Sequence, residues 1–64
     1  MEATLFNQKI VGNYLRNNLG LNVKNYVEQY DCFYCTLEGY DFYIPWDKAV
    51  EAYMNKVNEI LGLK

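Results

Sequence analysis

The stretch Phe33-Tyr34-Cys35-Thr36-Leu37-Glu38-Gly39-Tyr40-Asp41-Phe42-Tyr43-Ile44 decides the fold. It reads as an antiparallel β-hairpin that turns at Glu38-Gly39. Side chains on a strand alternate between faces, so an even-membered loop, either Glu38-Gly39 or Leu37 to Tyr40, sets Leu37 opposite Tyr40, Cys35 opposite Phe42 and Phe33 opposite Ile44 on one face. The other face then carries Tyr34 opposite Tyr43 and Thr36 opposite Asp41. Apolar residues sort to one side and polar ones to the other, the pattern of a sheet with one face packed and one face wet. The turn is the weak point of this reading. Primed turns favour Asn-Gly or Asp-Gly, whereas Glu-Gly also suits a three-residue loop closed by a Gly bulge, which shifts the parity and buries Tyr34.

On the N-terminal side of the hairpin, Asn22 to Asp31 has Val23, Tyr26, Val27 and Tyr30 at helical spacing, yet Val and Tyr favour strands. A strand near Val23–Glu28 that turns through Gln29-Tyr30-Asp31 would give the hairpin a third strand, which a lone two-stranded ribbon needs in water. A short second helix is the competing reading. Further back, Leu5, Phe6, Ile10, Val11, Tyr14, Leu15 and Leu19 recur at three- and four-residue spacing with Asn7, Asn13, Arg16 and Asn17 between them. That spacing predicts an amphipathic helix from Thr4 to Leu19, with Thr4 as N-cap. Gly12 inside it costs about 1 kcal/mol relative to Ala, which a close backbone approach would justify and simple tolerance would also explain. Gly20 and Leu21 after Leu19 match a left-handed helix ending in which Leu21 folds back on Leu15. Leu61-Gly62-Leu63 repeats that ending, with Val57 in the place of Leu15.

On the C-terminal side, Ile44-Pro45-Trp46-Asp47 closes the sheet and opens a second helix. Pro suits a first helical turn, and a carboxylate at Asp47 favours the positive end of the helix dipole. Val50, Tyr53, Met54, Val57, Ile60 and Leu61 lie on one face of this helix, and Lys48, Glu51, Asn55, Asn58 and Glu59 lie off it. The predicted fold is one α+β domain over residues 1–64 in the order α-β-β-β-α: a three-stranded antiparallel sheet packed by two helices on its apolar face. The first helix has a wide apolar stripe for so small a protein, which leaves room for a homodimer.

At 64 residues the chain buries only about 60% of its unfolded surface, so its stability is marginal without a staple or a partner. Cys32 and Cys35 are the only staple candidates. Three steps along a strand separate their Cα atoms by roughly 10 Å, beyond the roughly 7 Å limit for a disulfide, and turn the side chains to opposite faces. Two free thiols and a reducing compartment are expected, with Cys35 in the core and Cys32 on a face. The C-x-x-C spacing carries no redox or zinc site on this reading: a redox pair belongs at a helix N-terminus, and zinc needs ligands that a chain with no His and no third Cys lacks.

Met1-Glu2-Ala3-Thr4 has no basic n-region, and Lys9, Gly12 and Asn13 break any apolar run, so no signal core or membrane span is expected and the location expected is cytoplasmic. The starting Met suggests a complete small open reading frame, with a trimmed domain as the alternative. No enzyme, cofactor or metal is expected. There is no His for general-base work, no G-x-S-x-G elbow and no phosphate loop.

Charge distribution is more telling than the net −2. Residues 25–47 hold Glu28, Asp31, Glu38, Asp41 and Asp47 with no base, and the same stretch carries eight of the eleven aromatics. The candidate binding surface is therefore the wet face of the hairpin: Tyr34 and Tyr43 side by side, with Thr36, Asp41 and Glu38 around them and Tyr30 and Asp31 at the hairpin entry. Tyr brings rigid contact area and one polar handle at low entropic cost. The plainer role of the Tyr pair is a stabilising cross-strand contact worth up to about 1 kcal/mol. The charge layout favours a non-catalytic binding module that occupies a basic surface on another protein. If that surface normally binds nucleic acid, the module is an inhibitor or regulator of the kind phage-encoded proteins provide. Two readings compete with it. A nucleic-acid contact would use Lys9, Arg16 and Lys24 of the first helix region, a thin footprint beside an acidic sheet. A structural subunit of a homo-oligomer would assemble without any use of the Tyr pair.

Overall fold

The computed structural model describes residues 1–62. The element order is α1 (Leu5–Leu19), β1 (Asn22–Val27), β2 (Cys32–Leu37), β3 (Tyr40–Pro45) and α2 (Trp46–Leu61), with a short 3-10 turn, Glu28–Tyr30, between β1 and β2. The strands form one antiparallel sheet in the order β1-β2-β3. This is the α-β-β-β-α fold that the residue pattern predicts, and β1 settles the ambiguous stretch as strand.

The hairpin register is the even-membered one. Leu37 faces Tyr40, Cys35 faces Phe42, Phe33 faces Ile44 and Tyr34 faces Tyr43. Glu38 (φ 50°) and Gly39 (φ 84°) both take positive φ, the signature of a two-residue type I′ turn. Glu38 therefore occupies a conformation that Asn or Gly enters more cheaply. The ladder prevails over this local preference because a slip of one residue would turn one strand's apolar set, Phe33 and Cys35 or Phe42 and Ile44, out to water.

α1 begins as expected: Thr4 Oγ1 accepts the Asn7 N–H at 3.1 Å. It ends at Gly20, φ 70°, with the Gly20 N–H on the Arg16 carbonyl at 3.2 Å and the Leu21 N–H on the Leu15 carbonyl at 3.1 Å. α2 follows Pro45 directly. Its first N–H, from Trp46, donates to the Asp31 carbonyl at 2.8 Å, and Asp47 sits in the first turn with Oδ1 accepting the Lys48 N–H at 3.1 Å. Gly62 (φ 74°) donates to the Glu59 carbonyl at 3.2 Å, while Leu63, the partner in the repeated ending, lies outside the described residues.

Both helices pack on one face of the sheet. The core is Val11 and Leu15 of α1, Val23, Phe33 and Cys35 of the sheet and Ala49 of α2. Ala49 is not part of the apolar series read from the sequence. Its small side chain lets α2 approach the strands, whereas Met54, Ile60 and Leu61 of that series remain exposed. Gly12 is buried, but its neighbour is a ring and not a backbone: a Cβ there would lie 3.5 Å from Phe33 Cε1. Tyr26, Phe33 and Trp46 form an aromatic cluster beside the core, with Tyr26 edge-on to Phe33 at 5.0 Å and to Trp46 at 5.8 Å. Tyr14 and Tyr53 meet edge-on at 5.7 Å across the two helices. Both cysteines are free and buried, and burial pushes the Cys35 thiol above its ordinary value against the lowering pull of Arg16. Among the described residues, no helix is long and apolar enough to cross a membrane.

Candidate interaction surface

The register defines the uncovered face of the sheet. Reading across the strands, its rows are Asn22-Thr36-Asp41, Asn25-Tyr34-Tyr43 and Val27-Cys32-Pro45. The alternating rows, Val23-Cys35-Phe42 and Tyr26-Phe33-Ile44, face the helices. Between Val23 and Asn25 the pairing shifts at Lys24, a bulge on the edge strand that brings Asn25, and not Lys24, opposite Tyr34.

On that face Tyr34 and Tyr43 lie 5.3 Å apart, centroid to centroid, with their rings tilted by 32°. Tyr34 is half-buried against its neighbours and Tyr43 is 62% exposed. Partial desolvation first, then the neighbouring Asp41 carboxylate, push the Tyr34 phenol above its ordinary value. Asp41 is the diagonal neighbour of Tyr34 and lies opposite Thr36. Glu38 stands exposed at the turn, beyond Thr36 and Asp41. Tyr30, 70% exposed, closes the opposite end, where Val27, Tyr30, Cys32 and Tyr43 line a shallow apolar depression of about 420 Å³.

Six of the seven residues expected at the surface, Tyr30, Tyr34, Thr36, Glu38, Asp41 and Tyr43, thus come together. Asp31 does not join them. In a left-handed conformation (φ 48°), it sends its carboxylate to the Tyr26 hydroxyl, 3.3 Å away on the helix side of the sheet. There it lines a separate depression of about 640 Å³ with Met1 to Thr4, Trp46 and Asp47. Asp31 and Glu28, whose Oε1 accepts from Gln8 Nε2 at 3.1 Å, both serve the helix side. The acidic rim of the open face therefore reduces to Glu38 and Asp41. Asn22, Asn25, Val27 and Pro45 also belong to this face and were not placed on it from the sequence, and Cys32, read as lying on a face, was not counted among the candidate surface residues. The signal on β1 was the short connection Glu28–Asp31, which puts Val27 opposite Cys32 once it is read as a hairpin loop.

Of the bases named for the nucleic-acid reading, Lys24 sits exposed at the β1 bulge next to Asn25, and the other two fall away from the open face. Lys9 and Arg16 line a groove between α1 and β1 with Leu5, Phe6 and Phe33, and Arg16 is held there by a 3.2 Å bond from Nη2 to the Val23 carbonyl. Among the described residues no group of three or more His, Cys, Asp or Glu is placed to hold a metal ion. Comparison with protein-family models, curated proteins and solved structures finds no match for this chain, so its function is argued from these residues alone.

Proposed function

We propose that the chain is a non-catalytic protein-binding module that docks the open face of its sheet on a basic surface of a partner protein, as an inhibitor or regulator. One observation carries this reading. A whole sheet face is left bare by both helices, and its nine register positions include the Tyr34–Tyr43 pair and Asp41 but no Lys or Arg. Tyrosines in such a setting supply contact area that loses little side-chain entropy on binding, and Glu38 and Asp41 supply the sign that selects a cationic partner and speeds encounter. A protein that processes nucleic acid presents such a surface. The same sign argues against a nucleic-acid ligand on this face, because phosphates would meet carboxylates.

The test is capture from host lysate with wild type and a Tyr34→Ala/Tyr43→Ala/Asp41→Lys variant whose fold is verified by circular dichroism. The substituted side chains lie outside the core, so the variant should fold. Wild type should retain a partner that the variant loses, and added salt should release it. Recovery of the same proteins by both chains would end the proposal.

A further inference from the structure

We propose that the chain also self-associates by seating the hairpin tip of one copy in the α1–β1 groove of a second. The groove is an apolar trough of about 440 Å³ whose charged lining residues are Lys9 and Arg16, with no carboxylate among them. Leu5 and Phe6 form its lip and are 78% and 72% exposed. Its floor reaches Phe33 because Gly12 contributes no side chain. Among the described residues the ion pair formed is Lys56–Glu59, so neither groove cation is neutralised within the chain.

The tip is complementary to this trough in both respects. Leu37 and Tyr40 belong to the apolar side of the hairpin, yet no element covers them, and Tyr40 is 75% exposed. Glu38 between them and Asp41 beside them are exposed carboxylates. An apolar pair with Glu38 at the turn between its members and Asp41 next along the strand on the other face thus complements an apolar trough that carries Lys9 and Arg16, and one chain carries both halves. A two-fold dimer makes the contact twice and is isologous as a whole, which raises the buried area toward that of a stable interface, whereas one-way, heterologous use would build longer assemblies. The tip contact leaves Tyr34 and Tyr43 free but shares Glu38 and Asp41 with docking through the open face, so the Tyr pair on one side and the groove residues on the other tell the two apart.

The test is sedimentation of the purified chain with reciprocal charge reversal. Wild type should associate, and more weakly as salt is raised. Lys9→Glu/Arg16→Glu, and separately Glu38→Lys/Asp41→Lys, should each weaken association by about tenfold or more, and an equimolar mixture of the two should restore it, because each tip then meets a groove of opposite sign. Arg16 also holds the Val23 carbonyl, so Phe6→Ser/Lys9→Glu, which breaks no bond within the chain, serves as the second groove variant. Tyr34→Ala/Tyr43→Ala should associate like wild type even if it loses the partner of the open face. A strict monomer at high concentration, association indifferent to these reversals, or no recovery on mixing would each overturn the contact.

Discussion

Tyr26 shows how one side chain ties stability to pH. Burial first, then the charge and hydrogen bond of Asp31, push its phenol up from 10.0 to about 12. The folded chain thus keeps this proton where the unfolded chain releases it, so the contribution is complete below pH 10 and is lost as pH rises toward 12. The urea midpoint should fall across that window, and Tyr26→Phe should make the fall shallower; parallel curves would show that the phenol is not coupled to folding. Gly12 is a second residue whose surroundings determine the outcome of a change. A methyl group there meets Phe33 at ordinary contact distance, 3.5 Å, without the strain of positive φ. Gly12→Ala should therefore stabilise the chain by about 0.5–1 kcal/mol, a rise of a few degrees in thermal melting. A fall in melting temperature would mean that the Phe33 ring cannot make room.

Among the elements, the hairpin was legible because its pattern is redundant: five facing pairs agree on one parity, and a single unsuitable turn residue does not outweigh them. That residue is a target. Glu38→Asn should relax the left-handed backbone and raise stability by about 0.5–1 kcal/mol, measured as a shift in melting temperature, while Gly39→Ala at φ 84° should lower it by about 1 kcal/mol or more. The ends of α1 and the start of α2 were legible for a similar reason, since Thr4, Gly20 and Pro45 act within one turn of their own position. The direction of Asp31 and the bulge at Lys24 were not. Both depend on how β1 meets β2, a relation between distant residues that spacing along the chain does not encode. The make-up of the uncovered face was accordingly legible along β2 and β3 and incomplete on β1, and Asp31 was assigned to it although it turns to the helix side. Ala49 escaped notice because a small side chain leaves little trace in an apolar pattern, although its size is what allows α2 to come close.

The Cα trace spans 34 × 26 × 16 Å, a thin slab of one sheet and one helix layer. Few residues close its interior, so each has a large share of a total that core packing alone holds to about 3–5 kcal/mol at this length. Leu15, 1% exposed, is the clearest case: Leu15→Ala should cost about 2–5 kcal/mol and leave much of the chain unfolded at room temperature by far-UV circular dichroism. A variant that melts within a few degrees of wild type would show that the layers can collapse onto the gap. The edge strands of so thin a sheet need protection. On β1 the bulge at Lys24 and the Arg16 bond to Val23 provide it, and on β3 Pro45 does. The sole tryptophan, finally, stands where the layers meet: its Nε1–H reaches the Met1 carbonyl at 2.8 Å, and its indole touches Tyr26 and Phe33, which themselves line the groove beside α1. The protein therefore carries its own optical gauge. Filling the trough should alter the emission of this indole through those two rings, whereas a visitor on the bare side of the strands should leave it dark to the event, so one fluorescence trace separates the two modes of association without any added label.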